Sequence, residues 1–406
     1  MNACGLIVEY NPFHNGHYYH LEQSKQATNS DCMIAVMSGN FLQRGEPAIT
    51  DKFHRARVAV QQGVDIVVEL PFIYAVQNSD LFARGAVSIL AALGVKSLCF
   101  GSESGQINDF INAYKLFQNK QERYKLELKK QLSYGISFPE ASRQAYQAIG
   151  LTQGSIDLSQ PNNILGFSYL KSIYQNNFSI RPMTIKRTKN NYHDKEIKNE
   201  IASATSIRKE LVAYNKVTTL AKEALPSKMI EGLDEYKQYS GLWHHWEHYF
   251  NILQYRVLTM TEAELRQVHG VDEGLEYRLK RTASKATSFD SWMNDVKTKR
   301  YTWTRLQRMF AHILVNTKKE SIVSLTEEKL PYIRLLAMTD KGQAYLNQIK
   351  KSMEIPIITG LKNGRHQISA IESQASYAYY SVVSPIQRRK LYKQELNPPY
   401  ILNKRS

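Results

Sequence analysis

Short apolar stretches alternate with amphipathic ones along the first hundred residues, and this alternation restricts the fold more than any other feature of the chain. Near-continuous apolar runs, predicted as strands, occupy residues 3–10, 32–38, 64–70 and 96–101. Amphipathic stretches, predicted as helices, lie between them at 15–27, 50–63 and 79–94. Strands that are apolar on both faces and separated by helices are typical of a parallel sheet covered by helices. The pattern therefore predicts a doubly wound, parallel-sheet α/β domain, with Thr50 and Gly63 bounding its second helix.

Most of the remaining chain is predicted to be helical. Charged helical sequence runs from 106 to 180, before a strand at 181–188 and a helix at 203–214. After about residue 225 the strand alternation stops, and residues 236–350 have an almost wholly helical, aromatic-rich pattern. We therefore expect two domains, an α/β domain at 1–230 and a mainly α-helical, basic domain at 231–406.

Lysine and arginine outnumber aspartate and glutamate by 53 to 37, which gives a formal net charge of +16. Such an excess favours a polyanionic partner, for example a nucleic acid, although a basic surface can also serve solubility alone. No apolar run approaches the ~18 residues that span a bilayer, and the N-terminus lacks signal-peptide features. Cys4, Cys32 and Cys99 are far apart and odd in number, which argues against a disulfide framework. We expect a cytoplasmic protein with buried, reduced thiols.

Three of the 11 histidines lie close together in the stretch "NPFHNGHYYH", directly after the first predicted strand. His14 would precede a helix and His17 would lie in its first turn, so both imidazoles and the free backbone N–H groups converge on one anion. Gly16 would let that anion approach the backbone. Two imidazoles at an α-phosphate would stabilise the charge of the transition state as pyrophosphate leaves. Metal coordination and simple packing are the alternatives, although the zinc signature H-E-x-x-H is absent.

"HNGH" resembles the H-x-G-H motif of the nucleotidylyltransferase superfamily. "SATSIRKEL" resembles the second motif of that superfamily, in which a helix N-terminus, hydroxyl groups and an arginine hold the β- and γ-phosphates of ATP. The matching positions in this chain are Ser203, Thr205, Ser206 and Arg208. The resemblance implies a Rossmann-like, HIGH-type nucleotidylyltransferase domain.

Longer stretches, among them "SGNFLQRGEPAITDKFHRARVAVQQGVDIVVELPF", "FGSE", "PNNILGFSYLK" and "IKRT", resemble the bacterial tRNA(Met) cytidine acetate ligase family over nearly the whole chain. That resemblance implies an ATP-dependent enzyme that activates acetate as acetyl-AMP. The acetyl group then passes to N4 of the wobble cytidine (C34) of elongator tRNA(Met), which gives N4-acetylcytidine, AMP and pyrophosphate. Mg²⁺ is expected with the phosphates, without a dedicated metal site in the protein.

The same resemblance implies specific site residues, with His14 and His17 as the catalytic pair at the α-phosphate. ATP contacts are implied along the whole first motif: Ile7, Val8, Glu9, Tyr10, Asn11, Pro12, Phe13, His14, Asn15, Gly16, His17, Tyr18, Tyr19 and His20. Further ATP contacts are implied at Gly101, Asn162, Arg187, Thr205, Ser206 and Arg208. Asn163 is an alternative to Asn162, since the sequence does not fix the register. Arg187 also fits an ordinary basic loop, and "SGNFLQRGEPA" fits either a loop over the active site or a plain surface loop.

The segment from Tyr277 to Arg308 carries nine Lys and Arg residues against two acidic ones, interleaved with aromatic residues. Cations contact the phosphates of RNA and exposed aromatic rings stack on unpaired bases, although helical spacing can equally bury the rings. We predict tRNA contacts at Lys280, Arg281, Lys297, Lys299, Arg300, Arg305 and Arg308. "WHHWEHYF" at 243–250 suggests a metal site through His244 and His248, but an aromatic cluster explains it better because no third ligand has a defined spacing.

Two other functions remain open from the sequence. A small-molecule adenylyltransferase, or a ligase similar to pantothenate synthetase, would use the same H-x-G-H chemistry without needing the basic C-terminal half. A non-catalytic RNA-binding protein would keep the nucleotide pocket without turnover.

Overall fold

The computed structural model describes residues 1–152, 156–187, 202–361 and 366–403. An eight-stranded sheet has the order β5-β4-β1-β2-β3-β6-β7, and β8 pairs with β6. The first five strands pair with one another in parallel, which confirms the predicted parallel core. The strands are β1 Ala3–Val8, β2 Cys32–Ser38, β3 Ile66–Leu70, β4 Ser97–Ser102, β5 Arg181–Lys186, β6 Ile333–Thr339, β7 Ile357–Ile358 and β8 Tyr400–Leu402.

Helices connect and cover the strands. The first ten are α1 Asn15–Thr28, α2 Lys52–Gln61, α3 Phe72–Ala75, α4 Ser79–Ala92, α5 Ile107–Asn119, α6 Gln121–Ser133, α7 Phe138–Ala148, α8 Pro161–Gln175, α9 Ala204–Tyr214 and α10 Thr219–Glu223. The others are α11 Ser227–Ser240, α12 Phe250–Thr259, α13 Glu262–Gln267, α14 Leu275–Ala283, α15 Phe289–Val296, α16 Trp303–Val315, α17 Lys319–Glu327, α18 Asp340–Ile349, α19 Gln367–Tyr380 and α20 Pro385–Tyr392. Short 3₁₀ helices occupy Trp246–Tyr249 and Lys393–Leu396.

The chain reverses its direction of travel across the sheet at β1. It runs outward from β1 through β2 to β3, then returns to place β4 and β5 on the other side of β1. In open α/β sheets the carboxyl ends of the strands at such a reversal form the usual ligand-binding crevice. The fold therefore places the loop after β1 at this position.

The strand β6 contradicts the predicted helical character of residues 236–350. Its seven residues are all buried, and it pairs antiparallel with β3. A short apolar run such as "IRLLAMT" fits a buried strand or a buried helix equally well by periodicity, so the pattern alone could not separate them. The division of the chain at residue 230 stays a prediction.

Buried ion pairs link α2 and β3 to the C-terminal strand β6 and the 3₁₀ helix at Lys393–Leu396. Lys52 Nζ lies 2.7 Å from Glu69 Oε1 and 3.1 Å from Glu395 Oε1. Arg334 of β6 pairs with the same two carboxylates. Because buried charges are costly unless they are paired, this network explains how β6 accommodates an arginine in the sheet.

The helix α2 begins one residue later than predicted. Asp51, rather than Thr50, is the N-cap, and its carboxylate accepts the N–H of His54 at 2.8 Å.

Cys4, Cys32 and Cys99 are buried free thiols, as expected. Within the described part of the chain, no helix is long and apolar enough to cross a membrane. The last two residues of the strand predicted at 181–188 are Arg187, which follows β5, and Thr188, which lies outside the described residues.

Candidate active site

A cavity of about 630 Å³ opens at the carboxyl ends of β1, β4 and β5. Its wall includes the end of β1, the first turns of α1, Gly101 of β4 and Arg187 beyond β5. The loop after β2 and the start of α16 contribute to the same wall. The cavity thus lies at the reversal point of the sheet, as the parallel topology requires.

The two histidines of "HNGH" form the N-terminal cap of α1. His14 is the N-cap residue, and its Nδ1 accepts the backbone N–H of Gly16 at 3.0 Å. His17 Nδ1 in turn accepts the backbone N–H of His14 at 3.3 Å. The two rings are stacked, with 3.8 Å between centroids and 24° between planes. Since each Nδ1 is an acceptor, each neutral ring carries its proton on Nε2, which makes Nε2 a hydrogen-bond donor.

Both imidazoles are held in the neutral form. Burial, followed by the positive charges of Arg187 and Arg208, lowers the pKa of His14 to about 3. Burial, followed by His14 and Arg187, also lowers the pKa of His17 well below its ordinary value. The cavity therefore combines two neutral N–H donors with permanent guanidinium charges, those of Arg187 and Arg208 among them, which suits an anion of high charge such as a triphosphate.

Aromatic side chains beneath the histidines fix the orientation of His17. Tyr10 and Phe13 are almost fully buried, and their ring centroids lie 5.1 and 5.9 Å from that of His17. Tyr10 adopts a left-handed backbone conformation, with φ of 50°, which is uncommon outside glycine. Residues in such conformations cluster at functional sites, where packing holds them in place.

The second predicted motif reaches the same cavity from α9. Ser203 caps the helix, with its Oγ accepting the N–H of Ser206 at 3.0 Å, and Thr205 lines the cavity. Arg208 donates from Nη1 to the carbonyl of Asn11 at 2.9 Å and pairs through Nη2 with Glu46 at 2.8 Å. The two motifs, separated by almost 200 residues in the sequence, are therefore hydrogen-bonded to each other.

The "SGNFLQRGEPA" block lies over the cavity, as one of its two interpretations predicted. Leu42, Gln43, Arg44 and Glu46 line the wall. The backbone N–H of Gln43 donates to Glu9 Oε1 at 2.8 Å, which ties the loop to the end of β1. Burial raises the pKa of the Glu9 carboxyl despite this hydrogen bond.

Asn162 and Asn163 have different environments. Asn162 lines the cavity, and its Oδ1 accepts from Arg187 Nη1 at 3.4 Å. Asn163 is 2% exposed, accepts the N–H groups of Glu103 and Ser104, and donates to the carbonyl of Asp157. Asn162 is therefore positioned to meet a ligand, whereas Asn163 holds the loop after β4.

Most predicted ATP-site residues line the cavity, but some do not. The predicted residues in its wall are Ile7, Val8, Glu9, Tyr10, Asn11, His14, Gly16, His17, Tyr19, His20, Gly101, Asn162, Arg187, Thr205 and Arg208. The predicted residues outside it are Pro12, Phe13, Asn15, Tyr18 and Ser206. Asn15 binds the carbonyl of Glu223, and Tyr18 is exposed. Sequence reasoning missed the contribution of α4 and α7, including Asp80 and Arg143, because their helical pattern carries no motif.

The seven basic residues predicted to contact tRNA occupy different environments. Arg281, Lys297, Lys299 and Arg300 are exposed around α14 and α15. Arg300 pairs with Glu273, Arg305 lies 3.5 Å from Asp272, and Lys280 binds the carbonyls of Leu258 and Met260. Arg308 instead lines the cavity. Among the interleaved aromatic residues Phe289, Trp292 and Tyr301 are buried, whereas Tyr277 is 60% exposed.

His244 of "WHHWEHYF" belongs to an aromatic cluster, as expected. His244 is 2% exposed, and its ring nitrogens lie 2.7 Å from the Tyr236 hydroxyl and 2.6 Å from the Tyr249 hydroxyl. Its ring stacks on Tyr379 with 3.8 Å between centroids. Among the residues that the structure describes, no three His, Cys, Asp or Glu side chains converge as metal ligands would.

In this doubly wound sheet, the H-x-G-H motif caps the first helix and the N-terminus of an arginine-bearing helix faces it. These features together define a HIGH-type nucleotidyl transferase fold and site. The family model for HIGH Nucleotidyl Transferase matches residues 1–395. A tRNA(Met) cytidine acetate ligase from Oceanobacillus iheyensis is 52% identical over 402 residues, covering 99% of this chain and 100% of the relative. One from Bacillus subtilis is 46% identical over 383 residues, covering 93% and 92%.

Solved structures agree with this match. The crystal structure of apo Thermotoga maritima TmcAL superposes with a TM-score of 0.91 at 31% identity, covering 100% of both chains. The same protein bound with alpha-thio ATP gives a TM-score of 0.90 at the same identity and coverage. The chain belongs to the tRNA(Met) cytidine acetate ligase family and is an enzyme of the ligase class.

Proposed function

We propose that this enzyme activates acetate with ATP and transfers the acetyl group to N4 of the wobble cytidine, C34, of elongator tRNA(Met). The observation that carries the proposal is the stacked pair His14 and His17, whose caps make Nε2 the donor of both rings in a cavity lined by several arginines. The family relatives are named for this substrate, and the Thermotoga maritima protein binds an ATP analogue.

In the first step, a carboxylate oxygen of acetate attacks the α-phosphorus of ATP. The bond between that phosphorus and the bridging oxygen breaks, pyrophosphate leaves, and acetyl-AMP remains. His14 and His17 donate hydrogen bonds to the α-phosphate oxygens, which carry the additional charge of the transition state. In the second step, the cytidine amine attacks the acetyl carbon, AMP leaves, and the amine loses one proton.

The other cavity residues have complementary roles in this proposal. Gly101, Asn162 and Arg187 hold the nucleotide, and the N-terminus of α9 with Thr205 and Arg208 receives the terminal phosphates. Arg208 exchanges its pairing with Glu46 for these phosphates. Mg²⁺ that accompanies ATP would be held mainly by the nucleotide and would supply neutralising charge at the phosphates, since Mg²⁺ retains much of its hydration shell and needs no dedicated protein site.

The amine of cytidine is a poor nucleophile because its lone pair is delocalised into the ring, so an activated acyl donor is needed. The cytidine must leave the anticodon stack to enter the cavity, at a cost of a few kcal/mol. The exposed cations of α14 and of the segment after α15, with Tyr277, supply a surface for the surrounding RNA. An enzyme acting on this substrate belongs in the cytoplasm.

Incubation of the protein with ATP, isotopically labelled acetate and tRNA(Met) tests the proposal. We expect labelled N4-acetylcytidine at C34 by mass spectrometry of the digested tRNA, together with stoichiometric AMP. In the His17→Ala variant we expect no product, with tRNA binding nearly unchanged. Full acetylation by that variant would contradict the assigned role of the motif. Tight tRNA binding by the wild type without any pyrophosphate release would instead support a non-catalytic RNA-binding protein.

A further inference from the structure

Arg308 was predicted as a tRNA contact, but its position within the cavity suggests another role. It lies on the second turn of α16, is mostly buried, and lines the same cavity as His14 and His17. Its Nη1 donates to the carbonyls of Gln77 at 3.1 Å and Gln43 at 3.4 Å. The guanidinium is therefore held in a fixed place by main-chain oxygens.

The charge of Arg308 is not balanced by an acidic neighbour. Among the described residues no carboxylate lies within ion-pairing distance of it, whereas Arg208 pairs with Glu46 and Arg305 lies near Asp272. Burial, followed by the charges of Arg305 and Arg44, lowers the pKa of Arg308 to about 10. A guanidinium with this pKa still carries its charge at neutral pH. A desolvated cation that faces a cavity favours the binding of an anion there.

Close packing fixes this cation relative to the loop after β2. Gly45 has φ of 86°, and a Cβ atom on it would come within 2.3 Å of the backbone nitrogen of Arg308. The loop and α16 therefore meet backbone to backbone. One turn further along α16, His312 Nε2 lies 3.1 Å from the carbonyl of Val76, which anchors the helix to the segment after β3.

The sheet order separates the two ends of the cavity. The residues proposed to hold the nucleotide, Gly101 and Arg187, come from β4 and the end of β5. Arg308 is bonded to Gln43 and Gln77, which follow β2 and β3 on the opposite side of β1. His14 and His17, which follow β1, lie between. The nucleotide half and the Arg308 half thus flank the position proposed for the α-phosphate.

We propose that Arg308 forms the carboxylate-binding subsite of the acyl substrate, holding one oxygen of acetate while the other attacks the α-phosphorus. A guanidinium there would offset the repulsion between acetate and the ATP polyanion, and its planar donors match a carboxylate. The inference rests on the proposed function, because it assigns the acetate of that reaction. No further reactant is needed, since acetate and ATP give acetyl-AMP and pyrophosphate in a balanced reaction.

The test is acetate-dependent ATP–pyrophosphate exchange without RNA, measured for the wild type and Arg308→Gln. We expect the KM for acetate to rise roughly 10-fold or more, as for loss of a charge-assisted hydrogen bond, with the KM for ATP unchanged. Arg84→Gln is the matched control, because Arg84 is also partly buried and donates to a main-chain carbonyl, that of Thr326, but lies outside the cavity wall. Its acetate KM should equal that of the wild type.

Three results separate the possibilities. An unchanged acetate KM in Arg308→Gln overturns the inference. If the KM for tRNA rises instead, measured separately in the complete acetylation reaction, Arg308 contacts an RNA phosphate. Absence of acetate-dependent exchange in the wild type, with tRNA present or absent, contradicts the proposed function itself. If Arg308→Gln does not fold, Arg308→Lys, which keeps the charge but loses the planar fork, is measured in its place. A wild-type acetate KM in a folded Arg308→Lys variant would likewise overturn the inference.

Discussion

Two groups of histidines in this chain each contain a buried imidazole among aromatic rings, but the ring nitrogens of the two groups have different contacts. In the pair at the start of α1, His14 and His17 use Nδ1 to accept backbone N–H groups, and both rings line the cavity. In the cluster after α11, both ring nitrogens of His244 contact tyrosine hydroxyls, and the ring is 2% exposed. Both groups include a stacked contact of 3.8 Å between ring centroids.

The comparison shows that burial and a lowered pKa do not by themselves identify a functional histidine. The pKa of His244 is also well below its ordinary value because of burial. The distinguishing feature is that His14 and His17 present N–H donors to a cavity that also contains arginines. Both ring nitrogens of His244 instead contact tyrosine hydroxyls within the core. We therefore expect substitutions in the first group to affect chemistry and those in the second to affect stability.

The largest expected effect is on catalysis by His14→Asn. Asparagine is a favourable N-cap, so it should keep the cap of α1 while removing the Nε2 donor. We expect ATP–pyrophosphate exchange to fall by about 10²–10³-fold, as for other donors that stabilise a transition state, with an unchanged melting temperature. His366→Asn is the control, since His366 caps α19 through the same ring nitrogen. Equal exchange rates in the two variants would show that His14 acts only as a helix cap, as His366 does.

The next effect is on stability. His244→Ala should lower the free energy of unfolding by about 2–4 kcal/mol, because it leaves a cavity and deprives the hydroxyls of Tyr236 and Tyr249 of their partner. Exchange activity per folded molecule should be retained at low temperature. Urea denaturation and active-site titration measure the two quantities. A variant of wild-type stability that has lost exchange would show that this cluster also serves the reaction.

Both groups should make stability depend on pH in the same direction. The pKa values of His14, His17 and His244 are lowered by burial in the folded protein, so the unfolded chain binds these protons more readily. By linkage, the free energy of unfolding falls as the pH decreases below about 6.5, by up to ~1.4 kcal/mol per pH unit for each such proton. Denaturation curves at about pH 7.5 and pH 5.5 measure the fall. We expect the free energy of unfolding to fall less between these two pH values in His244→Ala than in the wild type. The same pH dependence in both proteins would contradict a lowered pKa for His244.

The smallest expected effect is on ATP binding, and it distinguishes a helix cap beside the cavity from a helix cap elsewhere. Ser203 caps α9 beside the cavity, and Thr261 caps α13 on the surface. Replacing either by alanine should cost about 1 kcal/mol of stability. Only Ser203→Ala should also weaken ATP binding, because the N-terminus of α9 is proposed to hold phosphates. Calorimetric titration with ATP measures the difference, and equal affinities would place the phosphates elsewhere.

Local patterns were sufficient to predict the parallel half of the fold. Runs such as "CMIAVMS" between helical segments have few alternatives to a buried parallel strand, and five of the eight strands follow from them. The strand β6 was missed because its partner β3 is more than 260 residues away in the sequence, and its arginine needs two distant carboxylates to be buried. Long-range pairing of this kind leaves no periodic signal.

The site could be predicted only where a motif carries its own local geometry. The H-x-G-H cap is formed by residues within one helical turn, so His14 and His17 were identifiable from spacing and resemblance together. Arg308 was assigned to an RNA surface because its neighbours in sequence are basic. Its place in the cavity depends on Gln43, Gln77 and the packing of Gly45, none of which is close to it in sequence.

The most direct test of the account is ATP–pyrophosphate exchange by the purified protein, with and without acetate, first without RNA and then with bulk tRNA. We predict exchange that requires acetate and falls by about 10²–10³-fold in His14→Asn. Exchange that is absent under all of these conditions would contradict acetate activation at the histidine pair and favour a protein that binds RNA without turnover.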